Sequence, residues 1–128
     1  MQPAALIDRW ATARSLPVGR SASGGRVTFT VDGRYRIHVS EARNRKVAIE
    51  SRICDLPADP LQRERLVERV MQISVGRMRA DGSMLAVDPP EAALLLQSEA
   101  PADADERGLG EAIGRFVNSL SFWRGVVG

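Results

Sequence analysis

The chain is poor in the residues that most often do chemistry. It has a single cysteine, Cys54, and a single histidine, His38. One thiol excludes an internal disulfide framework and fits a reducing compartment. One histidine and one cysteine cannot assemble a zinc set, and Asp103, Asp105 and Glu106 lack the order and the glycine of a calcium loop. A Cys54–His38 dyad would need a contact and an oxyanion hole that nothing in the pattern supplies. Gly108, Gly110 and Gly114 do not follow a strand, so they are not read as a phosphate cradle. No catalytic residues, no metal and no cofactor are expected, and the chain is read as a non-enzyme.

Long apolar runs are also missing. Apolar residues make up 44%, too many for a disordered chain, but no window approaches the roughly 18 consecutive apolar residues of a membrane helix. Met1 to Trp10 has neither a basic flank nor an apolar centre and is broken by Asp8. A secretory leader is therefore not expected, and the cytoplasm is the default location. With 128 residues, one domain spanning 1–128 can build a core without metals or disulfides.

Lysine is nearly absent: Lys46 is the only one, against seventeen arginines. The net charge of +2 hides an asymmetry, since residues 1–80 hold fifteen basic and eight acidic side chains and 81–128 hold three and eight. Arginine excess suits recognition of phosphate or carboxylate, and it also follows from genomic base composition.

The periodicities define a succession of elements. Leu6, Ile7, Trp10, Ala11 and Ala13 recur at helical spacing over Pro3 to Leu16, and Pro17 and Gly19 end the pattern. After a small polar loop from Arg20 to Gly25, Val27, Phe29 and Val31 alternate with Thr28 and Thr30. The Asp32-Gly33 turn then leads into Tyr35, Ile37 and Val39, a hairpin pattern. A third strand runs over Val47, Ile49, Ser51 and Ile53. Asp59 as N-cap, Pro60 at the first helical position and Gln62 three residues after the cap open a long helix to Met78, which Asp81-Gly82 stops. Met84 to Val87 and Ala92 to Leu96 read as two short strands, and Leu109, Ile113, Phe116, Leu120 and Trp123 mark a closing helix. The fold class is α+β, ordered α-β-β-β-α-β-β-α. Its antiparallel twisted sheet carries helices mainly on one side and buries Val27, Phe29, Tyr35, Ile37, Val47 and Ile49.

The long helix has more apolar surface than one small core needs. Leu66, Val70, Ile73 and Arg77 form one row, and Val67, Met71, Val75 and Met78 the next. One row can bury inside the domain. The second is expected to pair with a copy of itself, together with Leu85 and Val87, because flexible methionines help a surface meet its own image.

The segment Leu6-Ile7-Asp8-Arg9-Trp10, the hairpin from Val27 to Val39, the helix opened by Asp59-Pro60-Leu61, and Met84 to Val87 with Ala92 to Gln97 together resemble the class I type III secretion chaperones, the Tir-chaperone or CesT-like family. That resemblance covers nearly the whole chain. It implies a secretion-chaperone-like fold and a small bacterial cytoplasmic homodimer linked to virulence. It also implies binding of the N-terminal region of a secreted effector, with no ATP hydrolysis of its own, and leaves open transient docking to a secretion ATPase. Leu6, Trp10, Phe29, Tyr35 and Ile37 are the candidate effector-binding groove, with ordinary core as the alternative for each. The edge near Val27 to Val31 is the candidate for strand addition. The family is usually acidic, whereas this sequence has a pI near 9.3.

The rival reading is a nucleic-acid-binding or regulatory module in which Arg20, Arg26, Arg34, Arg36, Arg43, Arg45, Lys46 and Arg52 surround the three-stranded sheet. Against it, Phe29 and Tyr35 fall on the inward alternation, which leaves no stacking aromatic outside.

Overall fold

The computed structural model describes residues 3–14, 19–20, 26–101 and 103–128, without the side chains of 3–4, 19–20, 45 and 78–81. The elements are α1 (Pro3–Ala13), β1 (Gly19–Arg20), β2 (Arg26–Val31), β3 (Tyr35–Glu41), β4 (Val47–Asp55), α2 (Pro60–Asp81), β5 (Met84–Asp88), β6 (Ala93–Ala100) and α3 (Glu106–Val127). A short 3-10 turn, Arg43–Arg45, links β3 to β4. This is the predicted α+β order with one added strand. Residues 15–18 and 21–25, which carry the end of the expected first helix and most of the expected polar loop, lie outside the described residues.

The six strands form one antiparallel sheet in the order β1-β2-β3-β4-β6-β5. Asp32 and Gly33 take positive φ, 55° and 65°, as a two-residue turn requires. Register then follows: Val31 faces Tyr35, and Phe29 faces Ile37. The last strand in sequence, β6, lies inside the sheet, and β5 takes the edge. Burial accounts for this, because Leu94 and Leu96 of β6 are buried, whereas β5 is short and half open to solvent. The edge expected at Val27 to Val31 is corrected at its start. β1 pairs there, setting Gly19 against Thr28 and Arg20 against Val27.

One face of the sheet carries the core. Val27, Phe29, Tyr35, Ile37, Val39, Val47, Ile49 and Leu96 meet Leu6, Ile7, Trp10 and Ala11 of α1 and Leu109, Ile113, Phe116, Leu120 and Trp123 of α3. Each fully buried large side chain contributes about 1.5–3 kcal/mol, so these rows hold the helices on the sheet. Ser51 sits on the same face and donates its hydroxyl to the Arg36 carbonyl at 2.6 Å, meeting an acceptor just past the end of the β3–β4 ladder.

Both long helices start on aspartate caps. Asp59 accepts from the Gln62 amide at 3.0 Å, and Asp105 from the Gly108 amide at 2.7 Å. Gly82, at φ 67°, closes α2 in the left-handed conformation. Among the described side chains of α2 only Val70 is fully buried, with Leu66 and Ile73 half-buried beside it. The helix leans on α3, where the Arg77 guanidinium stacks 3.6 Å from the Phe122 ring centroid.

Candidate partner-binding surfaces

The large apolar side chains left exposed among the described residues gather on two elements. Leu61, Met71 and Val75 lie on α2, with Val75 75% exposed; Met84 and Val87 lie on β5. Between the two elements is a cavity of about 280 Å³ lined by Val67, Val70, Met71, Leu85, Val87 and Leu94. The helix therefore spends its Val70 row on the core and turns its Met71 row outward. Val67 and Leu85 are half-buried at the cavity wall, and the side chain of Met78 lies outside the described residues. Beyond β5 no further strand pairs among the described residues, so its outer backbone groups border this apolar face.

The five groove candidates are placed in the core. Phe29 and Ile37 are sealed beneath the helices, Tyr35 is buried at the end of α3, and Leu6 and Trp10 are buried on α1. Phe29 and Trp10 pack with ring centroids 5.1 Å apart. Alternating apolar residues on a single covered sheet face become core first, and Leu6 and Trp10 also border open clefts. The cleft at Trp10 has a volume of about 420 Å³ and lies between α1, the β2–β3 turn and α3. Sequence reasoning missed the α3 contribution to it, Gly110, Ile113, Gly114 and Val117. Glycines spaced four apart were the available signal.

The opposite sheet face is polar and internally paired. Thr28, His38, Glu50 and Gln97 stand side by side across four strands. Thr28 Oγ1 and His38 Nδ1 are 2.8 Å apart, and Gln97 donates to Glu50 at 2.9 Å. Burial, then Arg26 and Arg36, push the His38 pKa down, with Glu50 opposing. Arg26 reaches Glu50 at 3.6 Å, Lys46 reaches Glu99 at 3.6 Å, and Arg52 reaches Asp55 at 3.1 Å. Three of the eight basic residues expected to follow phosphates are thus matched by local carboxylates, and both candidate stacking rings are buried. The nucleic-acid reading is not favoured.

Cys54 and His38 do not form a dyad. His38 stands opposite Glu50, and Cys54 is four residues further along β4, a separation of about 13 Å at strand rise. Burial, then the Asp55 carboxylate, push the Cys54 thiol pKa up, with Arg52 opposing. Among the described residues no group of histidine, cysteine and carboxylate side chains is placed to hold a metal ion. No described helix is long and apolar enough to cross a membrane.

No curated protein matches the chain by sequence. Solved structures do share its fold. A chain of the HopA1-SchA chaperone-effector complex superposes with a TM-score of 0.72 at 13% identity, covering 95% of this chain and 92% of that one. A chain of the ExsC-ExsE complex gives 0.70 at 13% identity over 97% and 95%. The Yersinia pestis type III secretion chaperone SycH, in complex with a stable fragment of YscM2, gives 0.63 at 15% identity over 93% and 97%. At such identities these likenesses establish the fold, and the sequence itself supplies the lineage. Residues 15–124 match the profile of the Tir chaperone protein (CesT) family, and the chain belongs to that family.

Proposed function

We infer that this protein is a cytoplasmic type III secretion chaperone that binds the N-terminal region of a secreted effector and keeps it stable and export-competent, with no chemistry of its own. The observation that carries this reading is the exposed apolar surface on α2 and β5, displayed on the fold of a chaperone family. Such a surface on a small chain is an association site. The solved relatives support the class of partner, since one is a chaperone-effector complex and another a secretion chaperone holding a protein fragment.

The physical mechanism is competition with folding. A client segment laid along the chaperone has its apolar anchors buried against another chain, so it cannot complete its own core and remains threadable. A second copy of this chain covers α2 and β5, where Val67, Met71, Val75, Leu85 and Val87 make a self-complementary face. Client side chains then take the clefts beside α1.

The test is affinity capture of the tagged protein from its native host, with mass spectrometry of what co-purifies and a secretion assay after deletion of its gene. The reading predicts one or a few secreted proteins, bound through their N-terminal regions and lost from the medium in the deletion strain. Retention of generic RNA or DNA that weakens steeply with salt, with no secreted protein, supports the rival.

A further inference from the structure

We propose that Met71 and Met84 form an oxidation site on the α2–β5 face, where hydroperoxides convert the two thioethers to sulfoxides and release this chain from its second copy. This assignment rests on the pairing of that face with its own copy and adds the chemistry that regulates the pair.

Placement of the sulfurs carries it. Met71 is 61% exposed on α2 and Met84 60% exposed on β5, and both line the cavity of about 280 Å³ between these elements. Val67, Leu85 and Val87, which a second copy covers, share that lining. Flexible thioethers let such a face fit its own image, and the same open sulfurs are the groups that a peroxide attacks. Met84 stands beside Gln97 and also borders a groove on the outer sheet face, so the reagent reaches it from two sides. The one cysteine lies elsewhere. Cys54 is half-buried against the core on β4 and does not line the cavity, so its oxidation leaves the α2–β5 face unchanged.

The step is an oxygen transfer. A sulfur lone pair attacks one peroxide oxygen, the O–O bond breaks as the S–O bond forms, and the leaving hydroxide takes a proton to become water. Sulfur loses two electrons and the peroxide gains them. Each event turns a pliant apolar side chain into a polar one, whose oxygen is hydrated in the single chain and must give up that water in the pair. A dithiol acting through methionine sulfoxide reductases restores the thioether, and it leaves as a disulfide with one water.

Coverage sets the access. Both sulfurs are open in the single chain, whereas the second copy covers Met71 in the pair. Oxidation of Met71 therefore proceeds through the dissociated chain, and the sulfoxide then opposes re-pairing. Its rate falls as protein concentration rises, a dependence that an uncovered surface methionine lacks.

The experiment treats the full chain with millimolar hydrogen peroxide and follows it by peptide-mapping mass spectrometry, sedimentation and circular dichroism. Met71 and Met84 each gain one oxygen, Met71 more slowly at higher protein concentration. The dimer dissociation constant rises at least about tenfold while circular dichroism stays unchanged, and methionine sulfoxide reductases with a dithiol reverse the change. Substituting Met71→Leu and Met84→Leu together keeps apolar bulk at two exposed sites, and this double variant stays paired in peroxide. Cys54→Ser responds as the wild type does. The assignment is overturned by a wild type oxidised at both sites that stays paired, by Met71 or Met84 left unoxidised, by a double variant that dissociates in peroxide as the wild type does, or by a Cys54→Ser variant that no longer responds. An untreated wild type that sediments as a single chain at micromolar concentration overturns the pairing and this site together, so the two failures are told apart.

Discussion

The Arg124 guanidinium, in the last turn of α3, donates Nη2 to the Arg52 carbonyl at 3.0 Å, where β4 shifts register against β6. Its Nη1 donates to the Arg34 carbonyl at 3.2 Å, and its Cζ lies 5.3 Å from the Tyr35 ring centroid. One side chain thus ties the helix end to β4 and to the turn between β2 and β3. Its positive charge also suits the carbonyl end of the helix. Arg124→Met keeps the aliphatic stem and removes the donors. It is expected to lower unfolding free energy by about 1–2 kcal/mol, read as a fall in the urea midpoint at constant slope.

Gly110 and Gly114 are expected to respond oppositely to alanine. A Cβ on Gly110 would lie 2.9 Å from Trp10 Nε1 and 3.2 Å from Arg14 Nη2. Arg14 can move aside, but Trp10 is held against Phe29. Gly110→Ala therefore loses about 1–2 kcal/mol to displaced packing, despite its better helix propensity. Gly114→Ala meets nothing and gains about 0.5–1 kcal/mol. Thermal melts of the two variants give the contrast directly.

Much of the architecture was legible from local chemistry. Asp32-Gly33 marked the hairpin because few other pairs adopt two successive positive φ values, and Asp59-Pro60 marked the start of α2 because cap and first-turn residues are chemically distinct. The α3 stripe from Leu109 to Trp123 is buried as its spacing implies. What stayed hidden depends on distant pairings. The two residues of β1 carry no alternation, and insertion of β6 between β4 and β5 is decided by Leu94 and Leu96 meeting β4 across a long stretch of sequence. The inward alternation of β2 and β3 gives the burial of Phe29, Tyr35 and Ile37, but not that α1 and α3 close over them and leave no open groove there. On α2 both rows are apolar in sequence, and only packing selects Val70 as the inner one.

His38 makes stability depend on pH. Burial, then Arg26 and Arg36, hold its pKa below that of an unfolded chain, so the folded state binds the proton less readily than the unfolded state does. Stability is full above the usual histidine range and falls as pH drops through that range toward the lowered folded value. His38→Gln removes this titration. Urea midpoints of the wild type should decline between neutral and mildly acidic pH, and those of His38→Gln should decline less.

The α2–β5 face predicts a dimer. Wild-type protein at micromolar concentration should sediment at twice the 14.0 kDa of one chain. Met71 and Val75 are exposed in the single chain, so Met71→Asp or Val75→Asp should leave circular dichroism unchanged. Each loses about 1.5 kcal/mol or more of burial per copy, which weakens a two-fold interface at least about a hundredfold. A wild type that sediments as a single chain contradicts this use of the surface.

Hydrogen exchange of the captured client, followed by mass spectrometry with and without this protein, tests most directly whether binding stands in for folding. Slowed exchange confined to an N-terminal client stretch, present only in the complex and without protection typical of a closed domain in that stretch, is the predicted result. A stretch that exchanges as fast in the complex as in free chain, or that is protected as a self-contained folded domain, contradicts the account.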